Sequence, residues 1–253
     1  MAITLAVAQT ISIPKDINAN IALHLQFMAL AARQGVQLLV FPELSLTGYE
    51  LDAAAQLAIK LDDPRLVSLR KMAQNYAMTA VIGMPVRLVG GPEILIGALI
   101  FHPDGTQTLY SKQHLHPGEE SVITAGTGGE TLAIDNRAIA LAICADAMQS
   151  SHRANACKAG ADIYAAGVLI SPASYADESQ QLADYAKKDR MVLLLANHGG
   201  ATGRWECAGR SAIWSSSGEL ISAAKGQGPC LVIAQENELG EWTGKIINVG
   251  LQI

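Results

Sequence analysis

Three residues with reactive side chains each follow a short apolar run of the sequence. Glu43 comes after L-L-V-F-P, Lys112 after L-Y-S, and Cys144 after A-I-A-L-A-I. Such runs predict buried strands, and strands in open α/β sheets present ligand-binding residues at their carboxyl ends. Alone, a Glu or Lys there is usually a solvated charge, and a Cys is usually a small core residue. A carboxylate, an ammonium and a thiol in three equivalent places instead indicate a shared reactive site.

Together these three groups could break a bond at an amide carbonyl or nitrile carbon. Cys144 would attack as a thiolate, which a neighbouring base and cation favour by lowering the pKa of the thiol. Glu43 would accept the thiol proton and later protonate the departing nitrogen. Lys112 and a backbone N–H near Cys144 would stabilise the developing oxyanion. A water activated by Glu43 would then hydrolyse the thioester.

The composition limits the kind of protein that carries this site. Half of the 253 residues are apolar and only 16% are charged, so a large core can form. The mean hydropathy of +0.23 is high, but no apolar run approaches the roughly 20 residues of a membrane span. A net charge of −5 without a basic stripe argues against nucleic acid as a partner. The first residues lack signal-peptide features and the four cysteines lack paired or metal-type spacing, which predicts a cytoplasmic protein without membrane association.

The elements that must position the three groups can be predicted from hydrophobic periodicity and turn residues. We expect strands over 3–9, 37–41, 80–89, 93–101, 106–110, 138–143, 161–171, 192–196, 211–214, 218–224 and 229–235. We expect helices over 18–34, 51–58, 63–76, 151–159 and 180–189. The strand–helix–strand start predicts parallel neighbours, and Gly90-Gly91-Pro92 predicts a hairpin. The last three strands are expected to form one turn-linked set. The pattern predicts two stacked mixed sheets with helices outside, in one domain spanning 1–253.

Three segments carry a resemblance to a known family. F-P-E-L-S-L-T-G-Y (41–49), Y-S-K-Q-H-L (110–115) and C-A-D (144–146) resemble, in order and spacing, the signatures of the nitrilase superfamily of carbon–nitrogen hydrolases. The resemblance implies an α/β fold of four layers, an α-β-β-α sandwich. It also implies a homodimer or higher homo-oligomer, no metal or other cofactor, and a Glu–Lys–Cys triad. By motif position the triad is Glu43, Lys112 and Cys144.

The resemblance extends to further site residues. Many members carry a second glutamate after the lysine, and the spacing to Gly126 favours Glu119 over Glu120. We expect the substrate to contact four more residues: Tyr49, Ala145, Asn197 and His198. The chain departs from the family in three places. Ala145 replaces the aromatic residue that usually follows the nucleophile, M-Q-S-S-H-R replaces an Arg-Phe-Pro-like continuation, and Ile96 replaces an asparagine. The substrate branch is therefore left open.

Rival interpretations use some of the same residues. A Cys–His hydrolase would take His198 as base with Asn197 nearby, but this leaves Glu43 and Lys112 without a role. A non-catalytic member could bind a metabolite or a protein, although a binding module has no need of all three reactive groups. Among enzymes, we expect amidase activity on a small molecule, with nitriles and carbamoyl compounds as alternatives.

The remaining polar motifs are interpreted structurally. His114 and His116 form an H-x-H pair without a third ligand, which indicates a turn or pocket rim rather than a metal site. Asp146 is expected to support the turn after Cys144 through hydrogen bonds. The other cysteines, at 157, 207 and 230, are expected to be structural, the last two on late β structure. The apolar share of the chain predicts a buried subunit interface, most simply in a dimer.

Overall fold

The computed structural model describes residues 2–88 and 90–250. Its strands, in chain order, are β1 (Thr4–Gln9), β2 (Leu38–Val40), β3 (Thr79–Arg87), β4 (Ile94–Phe101), β5 (Gln107–Ser111), β6 (Leu132–Ile134), β7 (Arg137–Ile143), β8 (Ile163–Val168), β9 (Val192–Asn197), β10 (Ala212–Trp214), β11 (Leu220–Ala223), β12 (Cys230–Glu236) and β13 (Trp242–Asn248). Its helices are α1 (Ile17–Ala32), α2 (Ala54–Leu57), α3 (Val67–Asn75), α4 (Ala145–Met148), α5 (Ser150–Lys158) and α6 (Tyr175–Asp189).

The strands form two mixed sheets. The larger has the order β13-β12-β1-β2-β3-β4-β5 and the smaller has the order β11-β10-β9-β8-β7-β6. Strands β1, β2 and β3 are parallel, as are β7, β8 and β9, and the other neighbours are antiparallel. The predicted parallel start and the mixed character are confirmed. Glu43 follows β2 of one parallel group and Cys144 follows β7 of the other, whereas Lys112 follows β5, which pairs antiparallel with β4.

The two sheets pack against each other, and helices cover their outer faces. Along β1, Leu5 and Val7 belong to the core between the sheets, whereas Ala6 and Ala8 face the layer of α1 and α3. This alternation follows from the two-residue period of a strand. The outer face of the smaller sheet packs on α5 and α6, for example through Leu182. The predicted α-β-β-α sandwich is confirmed. Within residues 2–88 and 90–250, the helices are too short or too polar to cross a membrane.

The strand β12 joins a different sheet from the one predicted. Instead of continuing from β10 and β11, it lies between β1 and β13. Leu231 and Ile233 face the outer helical core, and Val232 and Ala234 face the core between the sheets. A strand with both faces buried lies in the interior of a sheet, between two neighbouring strands. The turn residues that precede β12 do not show to which of the two sheets it belongs.

Short or exposed elements account for the other differences. The single turn α4 and the three-residue strand β6 are too short for a periodic signal, and β13 is largely exposed. The helix predicted over 180–189 begins earlier, at Tyr175, and 51–58 folds as a 3₁₀ turn followed by the single turn α2. The strand predicted over 80–89 ends at Arg87, and Val89 lies outside the described residues.

The segment that follows β2 passes through a narrow slot between the sheets. A Cβ atom at Gly83 of β3 would lie 2.3 Å from the backbone nitrogen of Leu44. A Cβ atom at Gly167 of β8 would lie 2.6 Å from the carbonyl oxygen of Phe41. Leu44 itself has a positive φ of 52°. The backbone that carries Glu43 is therefore fixed by two glycines from opposite sheets, because neither side leaves room for a methyl group.

We expect Gly83→Ala to lower the free energy of unfolding by about 1–3 kcal/mol, because the new methyl group would overlap backbone atoms on both sides of Glu43. Gly226→Ala is the matched control, since no atom lies within 4 Å of a Cβ built there. Urea unfolding measures both variants. Equal denaturation midpoints for the two variants would show that the slot can open without cost.

Candidate active site

The three predicted reactive residues come together across the space between the sheets. Glu43 follows β2 and Lys112 follows β5 of the larger sheet, and Cys144 follows β7 of the smaller one. Glu43 and Lys112 are almost completely buried, whereas Cys144 is partly exposed to a cavity. The apolar runs thus deliver all three side chains to neighbouring strand ends.

Lys112 forms a closed ion cluster with two glutamates. Its Nζ lies 2.7 Å from Oε1 of Glu43 and 2.7 Å from Oε1 of Glu119, and the three side chains have no solvent exposure. The Tyr49 hydroxyl donates to Oε1 of Glu119 at 2.6 Å, and the His116 backbone N–H donates to Oε2 at 2.8 Å. Buried charges of this kind persist only when they are paired and hydrogen-bonded.

The two adjacent glutamates have different environments. Glu119 is fully buried within the ion cluster, whereas Glu120 is exposed and accepts a hydrogen bond from the backbone N–H of Gly118 at 2.7 Å. The structure therefore brings Glu119, and not its neighbour, to Lys112.

The pKa values within the cluster follow from burial and mutual charge. Burial raises the pKa of Glu43 to about 7, with Lys112 opposing the shift and Glu119 adding to it. Burial acts to lower the pKa of Lys112, but the negative charges around it outweigh that effect and the pKa rises. Lys112 therefore stays charged, while Glu43 is poised to exchange a proton near neutral pH.

The thiol differs from the sequence-based expectation. Burial raises the pKa of Cys144 well above its usual range, and the adjacent Glu43 raises it further, so that the nearby Lys112 only partly offsets the shift. The expectation that neighbouring groups would lower the thiol pKa is wrong, because the desolvation of the site is invisible in the sequence. In this environment the thiol therefore favours its protonated form.

Cys144 lies on a strained turn between β7 and α4. Its backbone angles are φ 47° and ψ −104°, a combination that a residue with a side chain rarely adopts. The backbone N–H of Cys144 donates to the carbonyl oxygen of Gly167 at 3.0 Å, and Sγ lies 3.7 Å from the carbonyl oxygen of Leu169. The sharp turn points the thiol away from the strand and into the space between the sheets.

Asp146 connects this turn to the segment that carries Lys112. Its carboxylate accepts a hydrogen bond from the Ile143 backbone N–H on the cysteine side at 3.2 Å. On the lysine side the backbone N–H groups of Gln113 and His114 donate to Oδ1 at 3.1 and 2.8 Å. The Tyr110 hydroxyl donates to Oδ2 at 2.8 Å. The predicted supporting role of Asp146 is confirmed, and this role reaches beyond the cysteine turn to the lysine segment.

A cavity of about 250 Å³ opens beside the thiol. Four of the predicted site residues line it, namely Glu43, Tyr49, Cys144 and Ala145. Lys112 and Glu119 lie behind this wall in the ion cluster. The volume is below the usual range of about 300–1,000 Å³ for ligand pockets, which suits a small molecule.

Asn197 and His198 do not line the cavity, which corrects the expectation that they contact substrate directly. Both are fully buried. The Asn197 side chain accepts from the backbone N–H of Ile170 at 2.9 Å and donates to the carbonyl oxygen of Gly209 at 2.9 Å. His198 Nε2 lies 2.7 Å from the carbonyl oxygen of Glu43. The sequence of a strand end does not show in which direction its side chains point. Here the side chains of Asn197 and His198 point away from the cavity and bind backbone groups of the neighbouring loops.

The position of His198 also disfavours the Cys–His alternative. A carbonyl oxygen can only accept a hydrogen bond, so Nε2 of His198 must carry the proton that it donates to Glu43. Burial lowers the pKa of His198 to about 4, which keeps the ring neutral. Its other ring nitrogen, Nδ1, is buried without a hydrogen-bond partner among the described residues. The ring therefore positions the Glu43 backbone and has no described contact with Cys144.

Several cavity residues were not predicted from the sequence. They are His116, Met148, Gln149, Val168, Leu169, Ile170, Ser171, Ser174, Glu178 and Trp205. Only His116 carried a signal, as the expected pocket rim, and it packs edge-on against Trp205 with ring centroids 5.9 Å apart. The others come from the end of α4, the end of β8, loops and the start of α6, where no motif marks them.

The remaining cysteines and histidines lie outside the cavity wall, except for His116. Cys157 is exposed on α5, Cys230 begins β12, and Cys207 is buried in a loop rather than in the β structure expected for it. His114 Nδ1 lies 2.9 Å from Asp146 Oδ1. Among the described residues, no group of three or more His, Cys, Asp and Glu side chains is arranged to hold a metal ion.

Known structures share this fold. An amidase of the nitrilase superfamily from Nesterenkonia sp. AN1, as a cysteine-to-serine mutant, superposes with a TM-score of 0.81 at 25% identity, covering 91% of this chain and 90% of that one. A cysteine-to-alanine mutant of that amidase in complex with butyramide gives 0.80 at 24%, covering 91% and 89%. A third structure, in which acrylamide has added to the active-site cysteine, gives 0.81 at 24%, covering 91% and 92%.

A sequence family covers nearly the whole chain. Residues 4–242 match the family described as carbon-nitrogen hydrolase. That range contains both parallel strand groups and all of the residues of the ion cluster and the cysteine turn. The chain therefore belongs to the carbon–nitrogen hydrolases of the nitrilase superfamily, enzymes that act on carbon–nitrogen bonds other than peptide bonds.

Proposed function

We propose that this enzyme is an amidase, which releases ammonia or an amine from a small amide through a thioester acyl-enzyme. The observation that carries the proposal is the Lys112 ammonium held 2.7 Å from both Glu43 and Glu119, directly behind a cavity lined by Cys144. Glu43, Lys112 and Cys144 are the proposed triad, and Glu119 is the proposed positioning residue of the lysine. The similar amidase that binds butyramide supports a small amide as substrate.

Acylation would begin with attack of Cys144 Sγ on the amide carbon. As the carbon–sulfur bond forms, the thiol proton passes to Glu43, whose Oε2 has no hydrogen-bond partner among the described residues, while Lys112 occupies Oε1. The carbonyl π electrons move onto oxygen, and the Lys112 charge with a backbone N–H near Cys144 stabilises the oxyanion. Glu43 then returns the proton to the departing nitrogen as the carbon–nitrogen bond breaks.

Deacylation would use the same groups a second time. Glu43, ionised again, takes a proton from a water that attacks the thioester carbon. The tetrahedral intermediate collapses, the carbon–sulfur bond breaks, and the proton on Glu43 passes to the leaving sulfur. The product is a carboxylic acid. A pKa of about 7 suits Glu43 for both directions, since it can accept and donate a proton at neutral pH.

A nitrile would first add the thiol to form a thioimidate, which water converts to the thioester with loss of ammonia, and a carbamoyl compound would form a thiocarbamate on Cys144 with loss of its amine. A binding-only protein would hold a ligand in the cavity without any covalent step. One substrate screen separates these possibilities. Ammonia release is measured over aliphatic amides, nitriles and carbamoyl compounds, with Cys144→Ala as the control.

The proposed domain organisation, cellular location and oligomeric state are those expected from the sequence. We infer that residues 1–253 form one domain, since a single core lies between the two sheets, and that the enzyme acts in the cytoplasm as a homodimer or larger homo-oligomer. Exposed apolar side chains such as Leu220 and Leu239 support a subunit interface.

Cys144→Ala should abolish turnover, because Cys144 carries the one thiol among the described residues that line the cavity. In the wild type, a substrate amide should slow the rate at which iodoacetamide alkylates Cys144. The rate of alkylation of the exposed Cys157 should be the same with and without substrate. Mass spectrometry of tryptic peptides reads both sites. Turnover by the Ala variant at the wild-type rate would contradict the assignment.

Glu43→Gln should lower kcat by about 10²–10⁴-fold, since the amide keeps the shape of the side chain but cannot accept a proton. In the wild type, kcat/KM should fall as pH drops below about 7, because protonated Glu43 cannot act as a base. His198→Ala should cause a smaller loss, as it removes only the hydrogen bond to the Glu43 carbonyl. A dead His198→Ala enzyme beside an active Glu43→Gln enzyme would move the base to His198.

Light scattering at micromolar concentration should give a mass that is a multiple of the 26.6 kDa chain. The expected reason is burial of exposed apolar side chains between subunits. A mass equal to one chain under assay conditions would refute the oligomer.

A further inference from the structure

The outer part of the cavity contains a carboxylate that the proposed reaction does not use. Glu178 lies in the first turn of α6, is half-buried and lines the cavity together with Cys144. Within residues 2–88 and 90–250 it forms no ion pair. A charge at the start of a helix is stabilised by the helix dipole whichever way it points, so the dipole alone does not require this side chain to face the cavity.

The charges around the cavity disfavour an anionic substrate. Among the described residues that line it, the charged side chains are Glu43 and Glu178, and there is no Lys or Arg. The nearest ammonium, on Lys112, is already paired with two carboxylates. When Glu43 is ionised the ion cluster carries one net negative charge, and when Glu43 is protonated the cluster is neutral. In neither state does the wall offer a positive charge to a substrate carboxylate.

Two aromatic side chains share the cavity with Glu178. Trp205 and Tyr49 both line it, and His116 packs edge-on against Trp205 with ring centroids 5.9 Å apart. A carboxylate and aromatic rings that line one cavity are the combination that recognises organic ammonium groups, through charge-assisted hydrogen bonds and cation–π contacts. The small side chain of Ala145 lies on the same wall and leaves room beside the thiol.

We propose that the preferred substrate is a small amide that also carries an ammonium group, and that Glu178 and Trp205 bind this group while Cys144 attacks the amide carbonyl. Glu178 is then a specificity-determining residue rather than a part of the hydrolytic machinery. This inference rests on the proposed amidase function and names the class of its substrate.

The first test compares kcat/KM for three matched series, ω-aminoalkanamides, unsubstituted alkanamides and ω-carboxyalkanamides of increasing chain length. The wild type should prefer the amino series at one chain length and should act worst on the carboxy series. Glu178→Gln should lower kcat/KM for the best amino amide by about tenfold, the loss of one charge-assisted contact. It should change the unsubstituted series by less than about twofold.

Asp177→Asn is the matched control. It removes the same charge from the same turn of α6, but Asp177 is exposed and does not line the cavity. This variant should keep the wild-type preference. A wild type that prefers the carboxy series, or a Glu178→Gln variant that loses activity equally on all three series, would overturn the proposal.

A second readout does not depend on amide turnover. Methanethiosulfonate reagents that carry an ammonium or a sulfonate group form a disulfide with a thiol and release methanesulfinate. The ratio of ammonium to sulfonate rates should be larger at Cys144 than at the exposed Cys157 of the same chain, and Glu178→Gln should reduce it at Cys144 alone. Equal ratios at the two cysteines would refute cation selection by the cavity. If this selection is present but no amide is hydrolysed, the amidase function fails and the ammonium site stands.

Discussion

The ammonium of Lys112, enclosed between two carboxylates, is the interaction on which the site depends. Removing charged groups from water costs roughly several kcal/mol per ion, and only close pairing and additional hydrogen bonds offset it. Here Nζ contacts Glu43 and Glu119 at 2.7 Å, and Tyr49 and the His116 backbone satisfy Glu119 from the other side. Both oxygens of Glu119 are thereby occupied by hydrogen-bond donors. Glu43, with one oxygen on Lys112 and the other facing away from it, is left as the carboxylate that can exchange a proton.

That electrostatic arrangement places strict demands on the backbone, because Glu43 and Lys112 follow strands of one sheet whereas the Cys144 that they face follows a strand of the other. The chain around Glu43 passes between Gly83 and Gly167, and the His198 ring holds its carbonyl oxygen at 2.7 Å. Cys144 adopts a φ of 47°, a conformation that costs about 1–3 kcal/mol and that the surrounding structure must impose. Asp146 does so by accepting hydrogen bonds from both the cysteine turn and the lysine segment. The buried charges and the strained turn are therefore stabilised by the same packing.

Much of this architecture could be predicted from the sequence, because it rests on signals that are local. Apolar runs before Glu43 and Cys144 mark buried strands, the run before Lys112 marks the buried end of β5, and the three strand ends meet when the sheets stack. The failures have a common physical cause, which is that they concern relations between distant segments. The thiol pKa depends on desolvation by both sheets, the sheet choice of β12 depends on a partner for each of its faces, and the direction of the Asn197 side chain depends on loops that it holds. No window of sequence contains these quantities.

Within the site, the residues proposed to carry out the reaction are marked by local sequence signals, whereas the residues proposed to select the substrate are not. The charges of the ion cluster are paired with residues of this chain and need no group from the substrate. The cluster therefore requires of a substrate only that its carbonyl carbon lie near Sγ of Cys144. Tyr49 and His116 on the cavity wall hold Glu119, but the rest of the wall comes from α4, the end of β8 and the loop after it, α6 and the Trp205 loop, and these segments carry no part of the Lys112 cluster. A substitution there, such as Ala145 in place of an aromatic side chain, can change the shape and charge of the cavity while the cluster keeps its geometry. The residues that choose the substrate are therefore those that sequence motifs mark least, and Glu178 is the one whose charge has no other described partner.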